Sequence, residues 1–147
     1  MVTLRRFTRE DAGILREKQA PDRTEDELAA LIDEYNRGSW RGKRFEMLAV
    51  VADGDVVGSV SLMEHSRSVV SLGPEIFPEE RRKGYAGEAM RLALARAAEL
   101  GFRIALQQVL TDNEASRRLH EKLGFEYDGY VYQNAKGREV GLYLKAL

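Results

Sequence analysis

The chain contains no cysteine, which excludes disulfides, thiol nucleophiles and cysteine-ligated zinc sites. Histidine is nearly as scarce, since His65 and His120 are the only two, and we therefore predict no metal site. No apolar run approaches the length of a membrane-spanning helix, and the N-terminal stretch MVTLRRFTRED has no apolar segment of the kind found in signal peptides. We accordingly expect a cytoplasmic protein without a membrane partner.

An excess of charge of either sign is also missing. Lys and Arg number 23, Asp and Glu number 24, and the formal net charge is −1. A nearly neutral chain has no overall field that draws it to a polyanion, so we predict that nucleic acid is not a partner. The length of 147 residues and the hydrophobic fraction of 44% indicate one globular domain spanning residues 1–147.

Hydrophobic periodicity and turn residues predict elements in the order β-α-α-β-β-β-α-β-α-β-β. Thr8 with Asp11, and Thr24 with Glu27, have the spacing of capping boxes and predict the starts of the first two helices. The stretch NRGSWRGK after the second helix is predicted to be a loop. This order predicts an α/β fold, in which one mixed sheet of about seven strands has about four helices on its faces.

The fourth predicted strand, SVVSLGPEIF, contains Gly73 and Pro74 in its interior. Proline has no N–H to donate to a neighbouring strand, so we expect a bulge or a splay of the sheet there.

Three basic residues, Arg81, Arg82 and Lys83, precede the helix predicted over about Tyr85 to Leu100 in the stretch ERRKGYAGEA. Cations are poorly placed there, because the helix dipole is positive at its N-terminus. Free backbone N–H groups at a helix start bind anions, and Gly84 permits a close approach of the backbone to a ligand. The stretch therefore predicts a site for phosphate groups, and a solvated basic turn is the alternative. It lacks the signatures of a P-loop and of a dinucleotide fold.

Two segments resemble motifs of the GNAT superfamily of N-acetyltransferases. Arg81, Gly84 and Ala86 match the R/Q-x-x-G-x-G/A loop of that family. A second segment, NEASRRLHEKLGFE, matches another family motif at Asn113, Ser116, His120, Gly124 and Phe125. One predicted helix and one predicted strand separate the two segments, as is typical of the family. The resemblance covers most of the chain and leans toward ribosomal-protein and spermidine acetyltransferases.

The resemblance implies a mostly antiparallel sheet that is splayed at its fourth strand, with acetyl-CoA as co-substrate bound beside that strand. It also implies a set of acetyl-CoA-binding residues, namely Ile76, Phe77, Pro78, Arg81, Arg82, Lys83, Gly84, Tyr85, Ala86, Asn113 and Ser116. The implied activity is N-acetyl transfer to a primary amine of a small molecule or peptide, by direct attack in a ternary complex. The alternative is a non-catalytic acyl-CoA-binding or regulatory module on the same fold.

Two catalytic groups follow from the same resemblance. A backbone N–H near Ile76 is the candidate donor to the oxyanion. His120 stands where many relatives carry tyrosine and is the candidate general acid, because an imidazolium can protonate a leaving thiolate.

The general base is less well defined by the sequence. Gln108 stands where some relatives carry a glutamate, and an amide cannot accept the proton. Glu75 and Glu64 are the remaining carboxylate candidates and His65 is a weaker third, while a chain of water molecules would also suffice.

Aromatic residues suggest further roles. Trp40, with Arg41, Lys43 and Arg44, falls in a region from which relatives commonly build the acceptor pocket, and a solvated loop with one anchoring aromatic is the alternative. Alternating tyrosines in the last two predicted strands indicate core and cross-strand packing at Tyr127, Tyr130, Tyr132 and Tyr143. The exposed edges of this closing hairpin make a homodimer an expectation.

Overall fold

A computed structural model describes all residues 1–147. The strands are β1 Val2–Arg6, β2 Ser39–Trp40, β3 Lys43–Ala52, β4 Asp55–Glu64, β5 Val69–Ile76, β6 Ile104–Leu110, β7 Glu126–Gln133 and β8 Glu139–Ala146. The helices are α1 Ala12–Lys18, α2 Glu25–Tyr35, α3 Tyr85–Glu99 and α4 Glu114–Lys122. Short 3₁₀ turns cover Arg9–Asp11 and Pro78–Glu80.

One mixed sheet organises the fold, with strand order β1-β3-β4-β5-β6-β8-β7 and β2 paired to β3. All pairs are antiparallel except β5 with β6. That parallel pair joins only Val69 to Ile104 and Val70 to Ala105, after which the two strands diverge. The predicted α/β fold, with a mostly antiparallel sheet splayed at the strand that carries Gly73 and Pro74, is confirmed.

The predicted loop after α2 is wrong in one respect. Ser39 and Trp40 form the short strand β2, which pairs with Arg44 and Lys43 and gives the sheet an eighth strand. The backbone of Arg41 and Gly42 is left-handed, with φ of 52° and 78°, and this makes the reversal tight enough for two residues on each side to pair. The sequence did not indicate this turn, because of its two left-handed residues only Gly42 is of a type that favours the left-handed conformation.

Of the two alternatives expected at Gly73 and Pro74, a bulge or a splay, the structure has the splay. The register of β5 with β4 runs without a shift through Ser61–Gly73 and Val60–Pro74. Proline is accommodated because its nitrogen faces the other edge of β5, where β6 has already diverged.

Two apolar clusters cover the two faces of the sheet. On one face, α3 packs over β1, β4 and β5, and its small residues Ala89, Ala93 and Ala97 are fully buried. On the opposite face, α1 and α2 enclose a smaller cluster around Phe7 and Ile32. No helix of the protein has both the length and the apolar content needed to cross a membrane.

Both predicted capping boxes are present, the first at the 3₁₀ turn Arg9–Asp11 that leads into α1 and the second at the start of α2. The Thr8 backbone N–H donates to the Asp11 carboxylate at 2.8 Å. The Thr24 hydroxyl accepts from the Glu27 N–H at 3.1 Å, and the Glu27 carboxylate accepts from the Thr24 N–H at 3.1 Å. These short-range bonds satisfy N–H groups that a helix start leaves unpaired.

Of the core and cross-strand packing expected for the tyrosines of the closing hairpin, Tyr143 alone lies in the core, and Tyr127 and Tyr143 form a cross-strand pair. Tyr143 is buried and its ring centroid lies 5.1 Å from that of Tyr127, which is itself exposed. Tyr130 and Tyr132 stack on each other outside the core, and their ring centroids are 5.0 Å apart. The pairing of β7 with β8 is interrupted between Tyr127 and Val131, so β7 is an irregular edge strand.

Candidate active site

The splay leaves one edge of β5 without a neighbouring strand. The backbone groups of Leu72 point to this edge, because they bond a side chain of β6 rather than β4. Alternation along a strand places Pro74 and Ile76 on the same edge. Pro74 has no N–H, so its carbonyl oxygen and the Ile76 N–H are the backbone groups that this edge offers to a ligand.

Gln107 closes the narrow end of the splay. Its Oε1 accepts from the Leu72 N–H at 2.7 Å, and its Nε2 donates to the Leu72 carbonyl oxygen at 2.8 Å. The side chain thus replaces the strand neighbour that Leu72 lacks. Gln107 was not predicted from the sequence, although it is the polar member of the buried alternation Ala105, Gln107, Val109 in β6.

The wide end of the splay meets the turn that precedes α3. The Arg81 side chain folds back and donates from Nε to the Ile76 carbonyl oxygen at 3.1 Å. Arg82 and Gly84 are both left-handed, with φ of 66° and 82°, and Gly84 is the N-cap of α3. A turn of this kind can present successive backbone N–H groups to an anion, and the phosphate site expected for this stretch stays a prediction.

The cations of this turn are solvent-exposed and differ in their partners. Lys83 forms an ion pair with Glu80 at 2.9 Å, whereas the guanidinium of Arg82 has no ion-pair partner within the chain. Tyr85 and Ala86 occupy the first turn of α3 and are half-buried. Arg82 is therefore the cation most readily available to a bound phosphate.

The start of α4 lies at the end of β6. Asn113 is the N-cap, and its Oδ1 accepts from the Ser116 N–H at 3.0 Å. The Asn113 amide nitrogen makes no hydrogen bond within the chain, so capping leaves a donor for a ligand.

His120 is buried at 5% exposure, with its ring against Phe125 and Tyr143. Its Nδ1 lies 2.8 Å from the Ser116 carbonyl oxygen, which can only accept, so Nδ1 carries the proton. Its Nε2 lies 3.3 Å from the Gln107 amide nitrogen and accepts from it. Burial lowers the pKa of His120, although the bond to Ser116 opposes that shift. The neutral ring thus uses its one N–H, at Nδ1, to bond the Ser116 carbonyl oxygen. To act as a general acid, His120 would have to break the bond between Nε2 and Gln107 and take up a proton at Nε2.

A cavity of about 360 Å³ opens on the α1–α2 face of the sheet. Its polar lining comes from Gln19, Arg23, Ser59 and Glu75, and the rest is apolar. Glu75 sits opposite Ser59 in the β4–β5 register and directly precedes Ile76. The cavity therefore brings a carboxylate next to the open edge of β5.

The other candidate bases lie outside this cavity. The Glu64 carboxylate accepts from the Arg44 backbone N–H at 3.1 Å, and His65 Nε2 lies 2.6 Å from the Ser71 hydroxyl. Gln108 is exposed on β6. Among the carboxylates named from the sequence, Glu75 is the one that reaches a cavity beside the splay.

Trp40 lies at a second cavity of about 500 Å³, which shares Leu31 and Tyr35 with the first. The Trp40 ring is 56% exposed, and the Arg41 guanidinium lies 4.5 Å from its centroid. The region is thus adjacent to the Glu75 cavity.

The family described as "Acetyltransferase (GNAT) domain" matches residues 2–126. Since this match covers well over half of the sequence, the chain belongs to the GNAT acetyltransferase family.

Named relatives agree with this assignment. The chain is 32% identical over 121 residues to the uncharacterized N-acetyltransferase YoaA of Bacillus subtilis, covering 79% of this chain and 66% of that protein. The matched region thus spans just under two thirds of YoaA. This chain is also 28% identical over 123 residues to an L-methionine sulfoximine/L-methionine sulfone acetyltransferase of Pseudomonas aeruginosa. That match covers 77% of this chain and 70% of that protein.

Solved structures share the fold across the whole chain. Spermidine N-acetyltransferase from Vibrio cholerae, in complex with CoA and spermine, superposes with a TM-score of 0.76 at 21% identity and covers 99% of this chain and 95% of its own. The microcin C7 self-immunity acetyltransferase MccE, in complex with acetyl-CoA and AMP, gives a TM-score of 0.80 at 16% identity with coverages of 99% and 92%.

Proposed function

We propose that the protein is an acetyl-CoA-dependent N-acetyltransferase that acts on a primary amine of a small molecule or peptide. The observation that carries this proposal is the open edge of β5, where the Ile76 N–H and the Pro74 carbonyl stand free beside the left-handed turn Arg81–Gly84. A pantetheine arm carries amide groups that can bond such an edge as a neighbouring strand would. The turn and the N-terminus of α3 suit the attached phosphates.

The residues supply distinct parts of the chemistry. The Ile76 N–H donates to the oxyanion that develops on the thioester carbonyl. Glu75 takes the proton of the acceptor ammonium, directly or through water. The amine nitrogen then attacks the carbonyl carbon and a C–N bond forms. The C–S bond breaks, the nitrogen releases its second proton to water, and the thiolate takes up a proton. His120 is the proposed source of that last proton, subject to its release from Gln107.

The remaining cofactor-binding assignments belong to the same proposal. Phe77 and Pro78 carry the chain from the open edge into the anion-binding turn, and Phe77 is buried. Asn113 donates from its free amide nitrogen to the pantetheine arm, beside Ser116. A cytoplasmic location and a homodimer through the closing hairpin remain predictions.

Thermal unfolding with acetyl-CoA, CoA and ATP at matched concentrations is the first test. A ligand that binds only the folded state raises Tm, so both CoA species should raise it and ATP should raise it much less. Release of free CoA thiol in the presence of a primary-amine panel then tests catalysis. Absence of any shift with CoA species would remove the foundation of the proposal. A shift with no turnover of any amine would instead support the non-catalytic acyl-CoA-binding alternative.

A further inference from the structure

The Glu75 cavity carries one charge of each sign. Arg23, in the connection between α1 and α2, lines it together with Glu75. Neither side chain forms a salt bridge with the other or with any other residue of the chain. A guanidinium and a carboxylate that share a cavity without contact leave room for a ligand that bonds both.

Tyr35 shows that the two charges converge. Burial raises the pKa of the Tyr35 hydroxyl, the Arg23 charge lowers it, and the Glu75 and Glu34 charges raise it. Both Arg23 and Glu75 therefore lie within electrostatic reach of one hydroxyl in the wall of the cavity. The neighbouring cavity adds Glu34 and Arg37, again one charge of each sign.

The remaining wall is apolar. Besides Tyr35, its hydrophobic members are Phe7, Leu15, Ala20, Leu28, Leu31 and Met47. These side chains offer no partner to a second cationic group of an acceptor, whereas they suit an uncharged side chain of moderate size.

We infer that the acceptor is an amino carboxylate, such as an α-amino acid with an uncharged apolar side chain, whose amine faces Glu75 and whose carboxylate pairs with Arg23. This inference rests on the proposed function and specifies its substrate class. Arg23 is suited to the task because a guanidinium binds a carboxylate through two parallel N–H groups. A polyamine fits poorly, since its several cations would meet a single carboxylate and a repelling arginine in the cavity.

The reaction is the acetyl transfer described above with this acceptor. The amino acid loses one ammonium proton to Glu75 before attack and a second nitrogen proton as the amide C–N bond forms, which balances the proton that the CoA thiolate takes up when the C–S bond breaks. The product is an N-acetyl amino acid that keeps its carboxylate and, therefore, its contact with Arg23.

Matched acceptor pairs test the inference. Thiol release is measured with L-methionine, L-leucine and L-phenylalanine, with the carboxamide of each, and with spermidine. The free carboxylate should raise kcat/KM about tenfold to a hundredfold over the carboxamide, because the carboxamide lacks the charge-assisted bond to Arg23. Spermidine should be the poorer acceptor.

Variants of the cavity arginine give the second arm. Arg23→Ala should raise KM for the amino acid about tenfold or more, so that kcat/KM for the amino acid approaches kcat/KM for its carboxamide. Arg23→Lys should restore part of the preference for the free carboxylate. Arg16→Ala is the matched control, since Arg16 is an exposed arginine of α1 that lies outside the cavity. Circular dichroism checks that each variant is folded.

The outcomes distinguish a failure of the amino-carboxylate assignment from a failure of the acetyltransferase proposal. Equal rates for acids and carboxamides, faster turnover of spermidine, or an unchanged preference in Arg23→Ala would overturn the amino-carboxylate assignment and leave the acetyltransferase proposal standing. No thiol release with any amine would overturn both.

Discussion

The side chain of Gln107 bonds both backbone groups of Leu72, at 2.7 Å to its N–H and 2.8 Å to its carbonyl oxygen. Its amide nitrogen also lies 3.3 Å from His120 Nε2, to which it donates its second hydrogen. One glutamine thus ends the pairing of β5 with β6 and holds the neutral tautomer of the histidine on α4.

Gln107→Met should test this arrangement, because it keeps the volume and removes every hydrogen bond. Leu72 is buried at 5% exposure, so its two backbone groups would be left unsatisfied at a cost of about 1–3 kcal/mol in the free energy of unfolding. Urea denaturation measures the cost. Gln108→Met on the exposed side of β6 is the matched control and should change it by no more than about 0.5 kcal/mol. Equal effects in the two variants would show that Gln107 contributes no special bond.

Glu46 should make the stability of the protein depend on pH. The carboxylate is buried at 8% exposure between Arg44 at 3.1 Å and Arg96 at 3.1 Å. Burial raises its pKa, but the hydrogen bonds and charges of Arg96 and Arg44 outweigh this and lower it overall.

A lowered folded-state pKa means that Glu46 stabilises the fold above its unfolded-state pKa and that this contribution fades as pH falls below about 5. Glu46→Gln should cost about 2–3 kcal/mol at pH 7, below the about 3–5 kcal/mol of a fully buried pair because both arginines are part-exposed. The cost should shrink toward pH 3. Denaturation curves at several pH values measure it, and a cost independent of pH would contradict the assignment. Asp11, whose pKa Arg5 lowers, should contribute in the same direction.

Much of this fold was predictable from the sequence because its signals are local. The capping boxes at Thr8 and Thr24, the turn at Asp53–Gly54 and the helix ends at Gly101 and Gly124 all act within a few residues. The strand β2 was missed because a two-residue strand has no period of its own to detect.

The site was predictable only where a family motif marked it. Arg81, Gly84 and Asn113 stand in such motifs, and Arg81 bonds the Ile76 carbonyl oxygen at the end of β5. The binding roles of all three stay predictions. Gln107 and Arg23 were not found, because their roles depend on a splay and a cavity formed by residues distant in sequence. The polar residue in a buried alternation was the available signal for Gln107.

His120 should titrate below pH 6.5 in the folded protein, because burial lowers its pKa. The unfolded chain protonates near pH 6.5, so this histidine's contribution to stability is complete above that pH and is lost as pH falls below it. Imidazole ¹⁵N chemical shifts should report a proton on Nδ1 and an unprotonated Nε2 at pH 7. A titration at or above pH 6.5 would contradict the neutral assignment and would favour the imidazolium acid.

Gly84→Asp should abolish acetyl-CoA binding by placing a negative charge at the anion-binding turn. A Cβ at Gly84 meets no atom within 4 Å, so the left-handed φ of 82° is the only folding cost, about 1 kcal/mol. Gly137→Asp is a close control, since that glycine has φ of 75°, open space and two basic neighbours in a turn far from α3. Thermal shifts with acetyl-CoA compare the two. A retained shift in folded Gly84→Asp would exclude the turn as the phosphate site.

Glu75→Gln should lower kcat at pH 7 by about a hundredfold or more, because the amide cannot take the ammonium proton. The loss should diminish as pH rises toward the pKa of the acceptor amine, since more of the amine is then already unprotonated. Glu64→Gln serves as the control, because Glu64 bonds the Arg44 N–H outside the cavity and should leave the pH–rate profile in place. The profile of kcat for the three enzymes decides between the candidate bases. A full rate in Glu75→Gln would assign the proton to a chain of water molecules, and the carboxylate would then serve only to bind the amine.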